Sequence, residues 1–389
     1  MASEWLIIGG GIHGTHLSLH LTQRGGVKPQ HIRVVDPHPA PLSVWGQVTR
    51  AVSMEYLRSP LVHNLHWDQG SLGLFSRLHQ QESMTRFIPP FGRPSLALFN
   101  AHAAHLIQKF GLDQLRLQAR ANRLARCGDR WSVETDKGVL HADRVVIAIG
   151  LSEQPFWPDW ARPFKTSRAL RHVFSPDFVR TSIAEGAVAI VVGGGTTAAQ
   201  TALALADRSP GSVVLVRRHD ERVFDFDSDV GWMNAMNLRG FAQITDWDQR
   251  RRVIRSARHR GSIPSDVAVS LDAAVQAGVL HIVDGEVHSL REGASLLELT
   301  MRSGLTISAD HLVLATGYVQ SRPGGDLVDC AVNDFGFPTA SCGYPTPTPR
   351  LEWAPGLYVS GPLAELEVGP ASRNIVGARM AGQRLIESC

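Results

Sequence analysis

The sequence predicts an α/β chain with two units of one plan, because three features occur twice in the same order. Each unit opens with a short apolar strand that runs into a glycine loop and a helical pattern. In the first, Leu6–Ile8 precedes Gly9-x-Gly11-x-x-Gly14; in the second, 187–192 precedes Gly193-x-Gly195-x-x-Ala198. Each continues into a hairpin pattern, around Asp136-Lys137-Gly138 and around Ser303-Gly304. Each closes on an almost wholly apolar strand ending in small residues, 143–150 and 310–317, of the kind buried in a parallel sheet. Strand, glycine turn and helix in that order are the setting of a dinucleotide-binding, Rossmann-like domain, and the recurrence reads as an internal repeat. The expected fold is therefore two such domains, each with a β-meander.

Bulk properties agree with that reading and exclude others. A chain of 389 residues has room for two or three domains, and 43% hydrophobic with 19% charged residues describes an ordinary globular protein. The net charge of +3 gives no reason to expect nucleic acid or a membrane as partner. Cys127, Cys330, Cys342 and Cys389 are widely spaced and form no Cys-x-x-Cys, which argues against a disulfide framework or a redox pair. No apolar run approaches the roughly 18 residues that span a bilayer. The first strand begins almost at the N-terminus, leaving no room for a signal peptide, so a cytoplasmic setting is expected.

In chain order, Gly9 permits the tight turn, Gly11 lets backbone approach a pyrophosphate, and Gly14 lets helix pack on strand. The helix after them, 15–24, would offer its N-terminal N–H groups to phosphate. A second strand, 31–36, ends in Asp36, where an acid accepts hydrogen bonds from a ribose; an acid merely ending a strand before Pro37 is the plainer alternative. From 37 to 94 the chain is rich in Pro, His, Trp and Met, and reads as an insertion that could cover a cofactor, with an amphipathic piece at 71–80. A helix is expected over 95–110. It carries His102 and His105 one turn apart, with no third ligand at metal-like spacing, so no metal is expected. Proline-rich 155–176 reads as a connection between domains.

The second unit differs where the ribose is read. Its second strand, 212–216, is followed by Arg217-Arg218 rather than an acid. Arginine there suits a 2′-phosphate, so this unit should hold NADPH, unless the pair is simply solvated. Arg250, Arg251, Arg252, Arg255, Arg258 and Arg260 are expected on a helix, with 251, 255 and 258 on one face. A solvated face is favoured for them over a second phosphate clamp or nucleic acid. The last segment returns to the first domain: a strand at 356–361, then Gly369-Pro370-Ala-Ser-Arg-Asn374 leading a helix through Leu385. The domain layout is thus 1–155 with 322–389 for the first unit and 156–321 for the second.

Asp310-His-Leu-Val-Leu314-Ala315-Thr316-Gly317-Tyr318-Val-Gln-Ser-Arg-Pro323, coming after two nucleotide loops, resembles the late signature of the flavin-dependent N-hydroxylating monooxygenases, the lysine and ornithine N-monooxygenase family. Trp45 followed by Met54-Glu-Tyr-Leu-Arg58 is similar to that family's flavin-side segment, and Asp227-Ser228 with Asn234 resembles, more loosely, a substrate-binding stretch. The resemblance implies FAD on Gly9, Gly11, Gly14 and Asp36, NADPH on Gly193, Gly195, Thr196, Arg217 and Arg218, and cofactor contacts from Trp45, Met54, His63, Trp67, Thr316, Gly317, Gly361, Pro370 and Asn374, with a packed core role the plainer alternative for His63 and Trp67. It implies Arg58 for an anionic group of the substrate and Asn234 as a further substrate contact. Arg58 stands where lysine is usual, and no counterpart of the family's second substrate asparagine follows Asn234. The activity implied is N-hydroxylation of a small amine or amino-acid-like substrate with O2 through a C4a-hydroperoxyflavin. Two alternatives stay open: a flavin NADPH oxidase or reductase that hydroxylates no amine, and a catalytically silent flavin-binding partner protein. A disulfide reductase is disfavoured by the missing Cys-x-x-Cys.

Overall fold

The computed structural model describes residues 2–79 and 87–387; the last residue of the 71–80 piece and Cys389 lie outside them. The first unit comprises β1 (Ala2–Ile8), α1 (Ile12–Gln23), β2 (Ile32–Asp36), the insertion with α2 (Ser43–Ala51), α3 (Ser71–Leu78) and the hairpin β3 (Phe87–Ile88) and β4 (Arg93–Pro94), then α4 (Leu96–Lys109), β5 (Arg116–Gln118), β6 (Ala121–Cys127), β7 (Arg130–Thr135) and β8 (Gly138–Ile147). The second comprises β9 (Leu170–His172), β10 (Ala189–Val192), α5 (Thr196–Ala206), β11 (Val213–Arg217), α6 (Ala235–Ala242), α7 (Trp247–Ala257), α8 (Ser265–Gln276), β12 (His281–Asp284), β13 (Val287–Glu292), β14 (Leu297–Met301), β15 (Thr306–Ala309) and β16 (His311–Leu314). The chain ends with α9 (Gly325–Phe335), β17 (Glu352–Ala354), β18 (Leu357–Val359), α10 (Glu365–Val368) and α11 (Ile375–Ile386).

The repeat holds at the level of strand order. The first sheet runs β17-β18-β8-β1-β2-β5, with β6 and β7 as the meander on β8; the second runs β12-β11-β10-β16-β9. Each glycine loop therefore follows a central strand paired in parallel on both sides, β1 by β2 and β8, β10 by β11 and β16. Those central strands are buried on both faces, which is why they read as continuous apolar runs. The second meander, β13-β14-β15, stands as a separate antiparallel sheet. No described helix is long and apolar enough to cross a membrane.

Two expectations change. Within 155–176, read as a connection alone, Leu170–His172 forms β9 and pairs in parallel with β16, capping the second sheet's edge. The run of arginines is solvated only in part, at Arg252, Arg255 and Arg260. Arg250 and Arg251 are buried, Arg252 and Arg255 are exposed, and α7 ends at Ala257, so Arg258 leaves in extended backbone instead of continuing the helical face. Short-range spacing placed these side chains on a helix but could not show what α7 packs against.

Candidate functional site

The first glycine loop is shaped by backbone contact. Gly9 has φ +111°, and a Cβ there would lie 2.7 Å from the Ala148 carbonyl oxygen; one on Gly14 would lie 1.7 Å from the Gly9 oxygen. A side chain at either position would collide with main chain, so only glycine serves. At Gly11, by contrast, a Cβ would meet nothing within 4 Å. No side chain caps the first turn of α1, so its N–H groups face that open space. Asp36 closes the loop: its Oδ2 accepts the Gly10 N–H at 2.6 Å and its Oδ1 the His38 N–H at 2.9 Å. A carboxylate has about four acceptor positions, so capacity for a ribose hydroxyl remains. An open cradle, an uncapped helix N-terminus and a fixed acid at the end of β2 fit the adenosine diphosphate half of FAD.

The C-terminal segment meets this loop. Ser360 Oγ lies 2.8 Å from His13 Nδ1, and Ser372 donates from Oγ to the Gly361 oxygen at 2.5 Å. Gly361 has φ +67° and lies beside the His13 ring. Burial, opposed by a hydrogen bond with the Asn374 backbone, pushes His13 down to about 4, so it is a neutral imidazole at physiological pH. Pro370 opens a 3-10 turn through Arg373, and Asn374 stands at the N-cap of α11 with no side-chain hydrogen bond there. Gly361, Pro370 and Asn374 are thus grouped at one mouth with α1.

The insertion bridges both units. Trp45 donates to Asn100 Oδ1 at 2.9 Å and packs near Phe99. Ala51 and Val52 are buried in the core of the second unit, with Met54 packed against it. His66 stacks on Trp67 at 3.7 Å, Arg379 of α11 donates to the Trp67 carbonyl at 2.8 Å, and His63 is buried, its pKa pushed down to about 4 by burial. Arg58 points away from this group. It donates to the carbonyls of Phe224 at 2.6 Å, Asp225 at 3.3 Å and Ser262 at 3.3 Å, to Thr196 Oγ1 and Ser262 Oγ, and pairs with Asp227 at 2.9 Å. Asn234 is the N-cap of α6, accepting the Met236 N–H at 2.8 Å and donating to the Val230 carbonyl at 3.1 Å. Arg58 and Asn234 share no hydrogen-bond partner among the described residues.

At the second loop, Gly193 is again fixed by backbone: a Cβ would lie 2.4 Å from the Ala315 oxygen. Gly195 and Thr196 face a neighbouring segment rather than open space, with Gly195 against Gly261 and the Thr196 N–H donating to the Ser262 carbonyl at 3.2 Å. Arg217 is engaged by Asp284 at 2.7 Å and Glu221 at 3.4 Å; burial works against its charge, but these acids raise its pKa. Arg218 is exposed and has no ion-pair partner among the described residues. Thr316 and Gly317 clasp the inter-domain connection: Thr316 Oγ1 donates to the Phe156 carbonyl at 2.5 Å, and the Phe156 N–H donates to the Gly317 carbonyl at 2.8 Å. Tyr318 stacks face to face on Phe174 at 4.5 Å.

Sequence reasoning missed a buried ion cluster. Glu365 of α10 is fully buried and accepts from Arg251, from Arg258 at 2.7 Å, and from Arg373 at 2.8 and 3.0 Å. Burial alone would raise its carboxyl, but Arg258, Arg373 and Arg251 pull it down to about 2. Arg250 pairs likewise with Glu367 at 2.5 Å. The acids in Leu363-Ala-Glu365-Leu-Glu367, set in an otherwise apolar stretch opposite a run of arginines, were the available signal. The described residues contain no group of three or more His, Cys, Asp or Glu placed to hold a metal.

Residues 6–152 match the model of a family described as FAD-NAD(P)-binding. No curated protein matches the chain in sequence. In structure the chain is similar to an ornithine hydroxylase from Pseudomonas aeruginosa, with 14% identity, 100% of this chain and 98% of that one covered, and a TM-score of 0.78. It is similar also to an FAD-bound cadaverine monooxygenase from Erwinia amylovora, at 13% identity, 100% and 94% coverage and a TM-score of 0.76. A bacillithiol disulfide reductase from Bacillus cereus matches at 18% identity, 100% and 98% coverage and a TM-score of 0.64. The chain thus carries an FAD-NAD(P)-binding domain over 6–152, and its whole length has the fold found in flavin-dependent N-hydroxylating monooxygenases.

Proposed function

We propose that this chain is an FAD- and NADPH-dependent monooxygenase that N-hydroxylates a small amine, with O2 as co-substrate. The observation that carries the reading is the pairing, within that fold, of an open glycine loop beside Asp36 and a second loop followed by a free Arg218. Asp36 favours a dinucleotide with a free ribose hydroxyl in the first unit, and Arg218 favours a 2′-phosphate in the second. When bound, the flavin supplies the hydride acceptance and oxygen activation for which no described cluster of side chains is needed.

The chain's own residues hold and shield. Gly11 and the first turn of α1 receive phosphate, and His13 stays uncharged at the mouth shared with Gly361. Trp45, His63 and Trp67 belong to the insertion that closes over this mouth and excludes water. Arg218, rather than Arg217, reads the 2′-phosphate, because Asp284 and Glu221 already engage Arg217.

The test is NADPH oxidation by the purified protein across an amine panel, with hydroxylamine and hydrogen peroxide both quantified. The reading requires an amine whose hydroxylamine yield matches the NADPH consumed. A second reading, a flavin-dependent reductase or oxidase, is supported by the fold shared with the bacillithiol disulfide reductase. It is the correct one if peroxide alone accumulates, or another acceptor is reduced, whatever amine is present.

A further inference from the structure

The second glycine loop is already filled by its own chain. The Ser262 carbonyl accepts both the Thr196 N–H, at 3.2 Å, and the Thr196 hydroxyl, at 3.0 Å, at the N-terminus of α5. Gly261, with φ +69°, lies against Gly195, and the His219 ring packs over Gly194 and Gly261 so closely that a Cβ on either would come within 2.8 Å of it. Arg58 reaches across from the insertion onto the same carbonyl at 3.3 Å. A helix N-terminus and a guanidinium converging on one oxygen form the donor set that binds a phosphate, and here the oxygen is a peptide carbonyl.

We propose that the strap 259–262 stands in for the pyrophosphate of NADPH, and that Arg58 is a ligand of that pyrophosphate rather than of the substrate. The proposal rests on reading the second unit as the NADPH site. Five of the six partners of Arg58 are neutral carbonyl or hydroxyl oxygens, with Asp227 the one charged exception. Each phosphate of the pyrophosphate shares a negative charge over its oxygens that the Ser262 carbonyl lacks, so pairing with the Arg58 guanidinium favours NADPH over the strap at the same donors. The strap then lifts from Thr196. Its far end stays anchored, because Arg258 is bound to Glu365 and to the Pro370 carbonyl at 3.1 Å. Ile263 is the second anchor, its backbone paired with Arg222 and Phe224 at 2.9 Å, so the segment bows out between two fixed ends, and the pull on Arg258 beside the turn before α11 links coenzyme binding to the mouth of the first unit.

The experiment is hydrogen–deuterium exchange on the flavin-loaded full chain with and without saturating NADP+, together with NADP+ titrations of Arg58→Gln and Arg58→Lys. The expected result is faster exchange over 258–263 and slower exchange over 194–198 when NADP+ binds. Arg58→Gln should weaken NADP+ binding by about tenfold or more, with Arg58→Lys recovering part of the loss and the amine KM unchanged in both. If NADP+ binds while 258–263 exchanges no faster, the strap is not displaced and the proposal is overturned; the wild-type protein alone decides this. An Arg58→Gln protein that keeps its NADP+ affinity but shows a raised amine KM returns Arg58 to the substrate and also overturns it. Absence of any NADP+ binding by the wild-type protein removes the underlying reading of the second unit as well.

Discussion

The two glycine loops start from the same plan and finish differently. Both follow a central parallel strand, and both depend on a glycine, Gly9 or Gly193, pressed against a carbonyl of the neighbouring strand's end. In the first, Gly14 allows α1 to lie directly on the loop and leaves the space at Gly11 open. In the second, Ala198 stands in the place of Gly14, and Gly261, Ser262 and His219 occupy what is open in the first. One unit is thus preorganised to keep a dinucleotide, while the other must exchange its own backbone for one. That difference suits a flavin that stays bound through many turnovers and a nicotinamide coenzyme that binds anew.

The largest effect that could break this contrast is at Gly14. Gly14→Ala forces a Cβ to 1.7 Å from a main-chain oxygen, so the protein should lose flavin and folded yield together, read as the flavin-to-protein ratio on purification. The mirror change, Ala198→Gly, should cost only about 0.5–1 kcal/mol, the penalty for glycine in a helix. A Gly14→Ala protein that purifies yellow would mean the two loops are not distinguished by closeness of packing.

Next in size is the anchor of the strap. Glu365→Gln leaves the buried Arg251 and the half-buried Arg258 and Arg373 around a neutral amide, and should lower stability in denaturant by about 3–5 kcal/mol. A midpoint indistinguishable from wild type would show that the cluster is not what holds α7 to α10. Smaller and more selective is the ribose pocket. Arg218→Ser should raise the KM for NADPH by about tenfold and leave that for NADH nearly unchanged, a loss typical of one charge-assisted contact. Arg217→Ser should affect both coenzymes alike, since it acts through Asp284 and Glu221; a selective loss there instead would exchange their roles. The smallest expected change is Asn234→Ala, which removes a helix cap and should cost about 1 kcal/mol without altering the amine KM. A raised KM with stability intact would make Asn234 the substrate contact the family resemblance implies.

The fold was largely legible because its signals are local. Glycine loops, buried apolar strands and turn residues announce themselves within a dozen positions, and the repeat reinforced each one. β9 was not legible: Leu170-Arg-His172 is three residues within a proline-rich stretch, and only pairing with β16 makes it a strand. The candidate site was legible for main-chain roles and poorly legible for charged side chains. Gly9, Gly14 and Asp36 act through backbone geometry that their spacing encodes. Arg58, Arg251 and, through Asp284, Arg217 act on partners far away in sequence, and no spacing rule reveals that Arg58 meets Ser262 or that Arg251 meets Glu365. An arginine run looks the same on paper whether water or a buried carboxylate faces it.

The contrast between a retained and an exchanged dinucleotide is tested most directly by mixing the purified protein with NADPH in the absence of oxygen and following flavin absorbance. The account predicts a protein that is yellow as isolated and is bleached by NADPH, through hydride passed from the second unit to the first. A colourless protein, or a yellow one that NADPH leaves oxidised, would contradict it.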